Sequence, residues 1–227
     1  MKYLPFSILL LLAATVWGQP QPPSVRATGS GSVFVKPDRV KIDIGVVTQA
    51  GSADAAASQN AAQLQAVLGK LHSALGSKGE IRTISFSLNP VYQYSKNGGK
   101  PTIDGYSASN IVEITSDDVA NAGKLIDAAT AGGANQIHSL QFTLKDEKPA
   151  RSEALKAAAL EARANAEAMA AALGLKLGKV LLLEQSSAQP VRPMMTAMAN
   201  RVTVANTPVE SEPIEVRATV TLTMQVE

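Results

Sequence analysis

The sequence has 227 residues, a formal net charge of +2 and no cysteine, which excludes a disulfide framework and every metal or nucleophilic site that depends on cysteine. Basic and acidic residues are interspersed and aromatic residues make up 4%, so the sequence lacks both the clustered basic patch typical of nucleic-acid binding and an aromatic stacking platform. A chain of this length forms one large domain or two small ones with a core that needs no covalent support.

The first 18 residues have the layout of a secretory signal. Lys2 gives a positive start, residues 4–16 are apolar, and the small residue Gly18 precedes Gln19. The apolar run is shorter than the roughly 20 residues that a membrane-spanning helix needs. We therefore expect a signal peptide at 1–18, cleavage after Gly18 and a Pro/Gln-rich leader at 19–24. A domain at 25–227 follows, and we expect no transmembrane segment in the mature chain.

Strands and a long helix are predicted in the first half of the domain. Alternating valines and isoleucines predict two strands joined by a turn at 36–38. Residues 52–75 have a helical period, with Ser52 as the cap and Gly76 as the stop. Two strands follow at 81–94 and 106–115, joined by a hairpin loop at 95–101. The predicted apolar faces of the helix and the first of these strands are Leu64, Leu68, Leu71 and Leu75, and Ile84, Phe86 and Leu88.

The second half predicts two helices and three strands. A helix at 117–131 precedes a strand at 137–144, and a third helix runs from Pro149 to Gly174. Its alanines predict close packing against a sheet. A short buried strand at 179–183, a long Met/Pro-rich loop at 186–213 and a final strand at 214–224 complete the chain. The predicted buried stripe of the third helix is Leu155, Ala158, Ala162, Ala166, Met169 and Leu173.

The order ββ-α-ββ-α-β-α-ββ lacks the regular alternation of a doubly wound fold and predicts an α+β protein with mostly antiparallel sheet and three packed helices. The first and last strands are long and regular. If nothing in the chain covers their edges, they are templates for pairing with another copy.

No group of residues predicts catalysis, a cofactor or a metal site. The Gly29-Ser30-Gly31 motif lacks the third glycine of a dinucleotide fingerprint and opens a strand, so we interpret it as structural glycines that bend the strand. His72 and His138 are far apart in sequence with no accompanying carboxylate motif, which favours structural histidines. Arg163 and Glu167 form a surface i,i+4 pair.

Two acidic pairs precede helices. Asp117-Asp118 and Asp146-Glu147 are interpreted as caps and as favourable charges at helix N-termini, not as catalytic pairs. A methionine cluster in the long loop leaves three interpretations open: a copper site, a contact with a partner, or an ordinary mobile loop. The cluster comprises Met194, Met195 and Met198.

Several blocks in order along the chain resemble the SIMPL-domain family. They are residues 25–31, 36–38, 44–46, 106–110, 133–137, 174–180 and 213–216. The resemblance implies a bacterial periplasmic or outer-membrane-associated protein with an α+β fold. It also implies assembly into homo-oligomers, ring-like in some members, and a link to stress tolerance, including oxidative stress. It implies no catalytic residues, and the loop at 186–213 is where this chain departs most from the family pattern.

The sequence therefore favours an exported, non-enzymatic, self-assembling protein of the cell envelope. The alternative is a periplasmic binding or adaptor module that uses the loop at 186–213 to hold a partner or ligand.

Overall fold

The computed structural model describes residues 22–94, 100–186 and 210–227 of the chain. The order of its elements and its antiparallel sheets confirm the predicted α+β fold. The predicted signal peptide, the tip of the predicted hairpin loop at 95–99 and most of the predicted loop at 186–213 lie outside the described residues. The elements are β1 (Ser24–Val35), β2 (Arg39–Ala50), α1 (Ala53–Leu75), β3 (Gly79–Gln93), β4 (Thr102–Ser116), a 3-10 turn (Val119–Asn121), α2 (Ala122–Ala131), β5 (Gln136–Thr143), α3 (Lys148–Ala172), β6 (Leu177–Ser186) and β7 (Ile214–Val226).

The strands form two separate antiparallel sheets. One has the order β3-β4-β2-β5 and the other the order β1-β7-β6. The turn at 36–38 therefore carries the chain from one sheet to the other and does not close a hairpin. The last strand, β7, lies between β1 and β6, so both of its edges are paired within the chain. The expectation of an open edge is thus wrong for β7.

Helices α1 and α2 cover one face of the four-stranded sheet and form the larger core with it. Leu71 and Leu75 are buried, and Leu64 and Leu68 pack against the same cluster, as the helical period predicts. The Ser52 hydroxyl accepts a hydrogen bond from the Ala55 N–H at 3.2 Å. The chain leaves the helix at Gly76 with a φ of 57°, in the region that favours glycine. Both predicted ends of α1 are confirmed.

Helix α3 packs on the three-stranded sheet mainly through alanine side chains. The predicted close packing of this helix against a sheet is confirmed. The predicted buried stripe is partly wrong, because Met169 and Leu173 are exposed and Leu155 is only partly buried. Large side chains do not fit where the helix backbone touches the sheet. The buried positions recur every four residues: Ala150, Ala154, Ala158, Ala162, Ala166 and Ala170.

Two glycines of β1 make this contact possible. A Cβ atom added at Gly29 would overlap the backbone of Ala158 and Ala162, and one at Gly31 would overlap the backbone of Ala154. The structural interpretation of the glycine motif therefore holds, but its reason is close approach of a helix and not a bend in the strand.

Two predicted apolar faces are exposed in the structure. The strand predicted as buried at 179–183 belongs to an edge strand and its side chains are exposed, because α3 packs on β1, β7 and the first residue of β6 and leaves the rest of β6 uncovered. In β3, a bulge at Ile84 interrupts the alternation, and Ile84, Phe86 and Leu88 are all exposed. The predicted burial of the strand at 179–183 is therefore wrong, and the predicted apolar face of β3 is exposed.

Candidate functional site

The two sheets have four edge strands, β1, β6, β3 and β5, and the edge of β1 is partly closed by α3. The Ser30 backbone N–H donates to the Glu161 carboxylate at 2.6 Å. The Asn165 side-chain amide donates to the Thr28 carbonyl at 2.9 Å. These groups of β1 face away from β7, so the helix satisfies polar atoms that another strand would otherwise pair with.

The edge of β6 carries an unbroken apolar run. We call residues Val180, Leu181, Leu182 and Leu183 the β6 surface. Their exposed fractions are 54%, 37%, 48% and 58%, respectively. Single exposed apolar residues are ordinary on protein surfaces, whereas four in succession on an open sheet edge indicate a contact site.

The side chains of the β6 surface are divided between the two faces of the sheet. Val180 is paired with Met224 and Leu183 with Leu222. Val180 and Leu183 therefore lie on the same face of the sheet as α3, which packs against β1 and β7 on that face. Leu182 is paired with Thr223 on the opposite face. The register shift between Val180 and Leu182 is a bulge that permits this arrangement. A partner at this edge would therefore bury apolar side chains above and below the sheet.

Charged residues flank the β6 surface. Lys179 precedes it and Glu184 follows it. Glu184 contacts Arg26 of β1 at 3.4 Å, and both side chains are more than half exposed. An exposed pair of this kind contributes little to stability, so Glu184 remains available to a partner.

The edge of β3 is apolar but interrupted. Phe86 and Leu88 are exposed and alternate with Ser85, Ser87 and Asn89. The exposed apolar residues of β3 therefore lie on one face of the sheet and do not form a consecutive run. The neighbouring shallow pocket beside Gln49, Val91, Asp104 and Tyr106 has a volume of about 190 Å³, below the range of roughly 300–1,000 Å³ of ordinary small-molecule sites.

The histidines and methionines singled out in the sequence do not converge on a site. His72 is exposed on α1 and His138 is exposed on β5, beside Gly45. Within residues 22–94, 100–186 and 210–227, no group of three His, Asp or Glu side chains could hold a metal ion. Met194, Met195 and Met198 lie outside the described residues.

The acidic pairs have different partners. Asp146 accepts a hydrogen bond from the Lys148 N–H at 2.9 Å, which places a carboxylate at the start of α3 as expected. Asp117 binds Arg39 at 3.1 Å and Lys145 at 2.9 Å. Arg39 and Lys145 lie at the two places where the chain passes between the sheets, and Asp117, at the end of β4, forms an ion pair with each of them.

Asp118 binds Lys78 at 2.8 Å, so it too has a cation as its main partner. The pKa of Asp117 is lowered, chiefly by the hydrogen bond from Lys145, and that of Asp118 is lowered, chiefly by the one from Lys78. The same bond to Asp118 raises the pKa of Lys78.

These shifts predict a pH-dependent contribution to stability. A lowered carboxyl pKa stabilises the fold above the ordinary value of 3.8, and this contribution is lost as the pH falls through the lowered value. We expect Asp117→Asn to reduce the free energy of unfolding at neutral pH and to have little effect in strong acid. Urea unfolding at several pH values measures the difference, with Glu153→Gln on the exposed side of α3 as the control. If Asp117→Asn lowered the free energy of unfolding by the same amount at all pH values, the expectation would be contradicted.

The exposure of the β6 surface was not predicted from the sequence. The available signal was the run of four large apolar residues between Lys179 and Glu184. Such a run is typical of a strand buried on both faces, and only the placement of α3 shows that this strand is uncovered.

Fold and surface together define a two-sheet α+β protein whose most distinctive feature is an open apolar sheet edge. Among the described residues, none of the helices has the length and apolar character needed to cross a membrane. The chain belongs to the SIMPL family, described as "protein of unknown function (DUF541)", whose model matches residues 25–224.

Two relatives illustrate the similarity. The 26 kDa periplasmic immunogenic protein of Brucella melitensis is 32% identical over 198 residues, which cover 86% of this chain and 79% of that protein. The uncharacterized protein YggE of Escherichia coli K12 is 28% identical over 169 residues, which cover 74% of this chain and 68% of that protein. The family membership predicted from the sequence is thereby confirmed.

Proposed function

We propose that the chain is exported, loses residues 1–18 and works in the periplasm as a non-enzymatic protein that assembles with copies of itself. Its role would be to support the cell envelope under stress, as the family resemblance implies. The observation that carries the proposal of assembly is the open edge of β6 with its four exposed apolar residues.

Export is supported by two independent observations. Residues 1–18 have the charge and hydropathy pattern of a secretory signal. The Brucella relative, similar over most of both chains, is named a periplasmic protein. A cysteine-free chain also suits the periplasm, because its folding does not depend on disulfide formation there.

The absence of enzymatic activity is supported by the placement of the ionisable side chains. The described carboxylates that bind cations do so in surface ion pairs and across the junction between the sheets. The described pocket is small and open. Such an arrangement provides none of the convergent, enclosed polar groups that catalysis requires.

Purification of the full-length chain from a bacterial periplasm tests the proposal. We expect osmotic shock to release the protein. Its intact mass should equal that of a chain that starts at Gln19, and its elution volume in size exclusion should be that of an assembly of several copies. Retention in the cytoplasm with residues 1–18 attached would contradict export, and elution as a monomer would contradict assembly.

A further inference from the structure

We infer that β6 lies antiparallel beside β6 of a second copy, around a two-fold axis between Leu181 and Leu182. The inference rests on the proposed function, because it names the surface through which the copies associate. A contact of this kind is isologous, so each copy presents the same residues to the other.

The sequence of β6 is self-complementary in this arrangement. When residues 179–184 of two copies are aligned in antiparallel directions, opposite charges meet at both ends and apolar side chains meet in the middle. The cross-strand pairs are Lys179 with Glu184, Val180 with Leu183, and Leu181 with Leu182. Among the described residues Lys179 has no carboxylate partner, and Glu184 has only the exposed 3.4 Å contact with Arg26. A second copy supplies each of them with an opposite charge.

Because of the bulge in β6, side chains that pair across the proposed two-fold axis lie on the same face of the sheet. Residues three apart in a regular strand lie on opposite faces, so Val180 and Leu183 could not oppose each other across a two-fold axis. The bulge at Leu181 places both on the face that α3 covers, as their pairing with Met224 and Leu222 shows. The two side chains can therefore meet across the axis on one face of a continuous sheet.

The other three edges are less suited to such a contact. Glu161 and Asn165 of α3 bind the outward-facing backbone of β1. The apolar residues of β3 are separated by serines and asparagine. The exposed edge of β5 includes the polar residues Gln136 and His138. The geometry thus favours β6 as the contact and a second copy as its occupant.

Disulfide trapping in this cysteine-free chain tests the arrangement. Across the proposed axis, Leu181 lies roughly 6 Å from its own copy, within disulfide reach, whereas Lys179 lies roughly 17 Å from its copy. We expect Leu181→Cys to oxidise to a covalent dimer. Lys179→Cys and Glu184→Cys should each remain uncrosslinked alone and should form a covalent dimer when mixed. Leu160→Cys, at an exposed apolar position on the outer side of α3, is the matched control.

The outcomes separate this inference from the proposed function. An assembly in solution with the expected cross-linking pattern supports both. An assembly in which Leu181→Cys cross-links no more than Leu160→Cys, or in which Lys179→Cys cross-links alone, overturns the β6 pairing but leaves self-assembly intact. A monomer overturns both.

Discussion

Substitution of Gly29 by alanine is expected to destabilise the protein by about 3 kcal/mol, the upper end of the range for overpacking a core. The added methyl group would overlap the backbone of Ala158 and Ala162, and backbone atoms cannot move aside as the end of a side chain can. Helix α3 would have to lift from the sheet, which would expose the alanine stripe. Urea unfolding followed by circular dichroism, at a fixed protein concentration, measures the loss.

Gly69→Ala is the matched control for this prediction. Gly69 is exposed in α1, and an added Cβ atom meets nothing within 4 Å. The same substitution should there stabilise the protein by about 0.5–1 kcal/mol, because alanine is the better helix former. Equal effects of the two substitutions would contradict the close packing of α3 on β1.

Asn60→Ala is expected to cost about 2–3 kcal/mol, because it removes two buried hydrogen bonds and their donor. Asn60 is fully buried in α1. Its amide donates to the Val46 carbonyl of β2 at 2.8 Å and to the Ala108 carbonyl of β4 at 3.0 Å. One side chain thus fixes the helix to two strands of the sheet. Loss of Asn60 leaves two buried carbonyls without this donor.

Asn165→Ala provides the comparison for Asn60. The Asn165 amide also donates to a backbone carbonyl, that of Thr28, but the bond is exposed and water can replace it. We expect a cost below about 1 kcal/mol at this position. Chemical denaturation of both variants measures the difference, and a loss at Asn165 as large as that at Asn60 would contradict the account.

Local signals made α1 predictable. Its cap at Ser52, its stop at Gly76 and its leucine stripe all lie within the helix or beside it, so one stretch of sequence contains the information. The assignment of strands is likewise local, since alternation of Val and Ile identifies β2 and β7 without knowledge of their neighbours. The pairing of these strands into two sheets is not local and could not be predicted in this way.

The buried stripe of α3 depended on residues far away in the sequence. Hydrophobic periodicity ranks Met169 and Leu173 above alanine as core residues. The space on the sheet is instead set by Gly29 and Gly31, more than a hundred residues earlier, which admit the helix backbone itself. Only alanine fits there, and the larger side chains turn outward.

The candidate contact surface could be predicted only in part. A run of apolar residues at 180–183 correctly indicates a strand, and β6 contains them. Whether such a strand is buried depends on whether a helix covers it, and α3 packs on β1, β7 and the first residue of β6, Leu177, but leaves residues 179–183 exposed. The function of this edge therefore follows from the packing of another element.

Self-assembly, the central claim on which association through β6 depends, is tested most directly by the solution mass of the predicted mature chain, residues 19–227, measured by light scattering behind size exclusion. Because each β6 pairs with one other β6, the account predicts a discrete assembly with an even number of copies. A monomer, or an assembly with an odd number of copies, would contradict it.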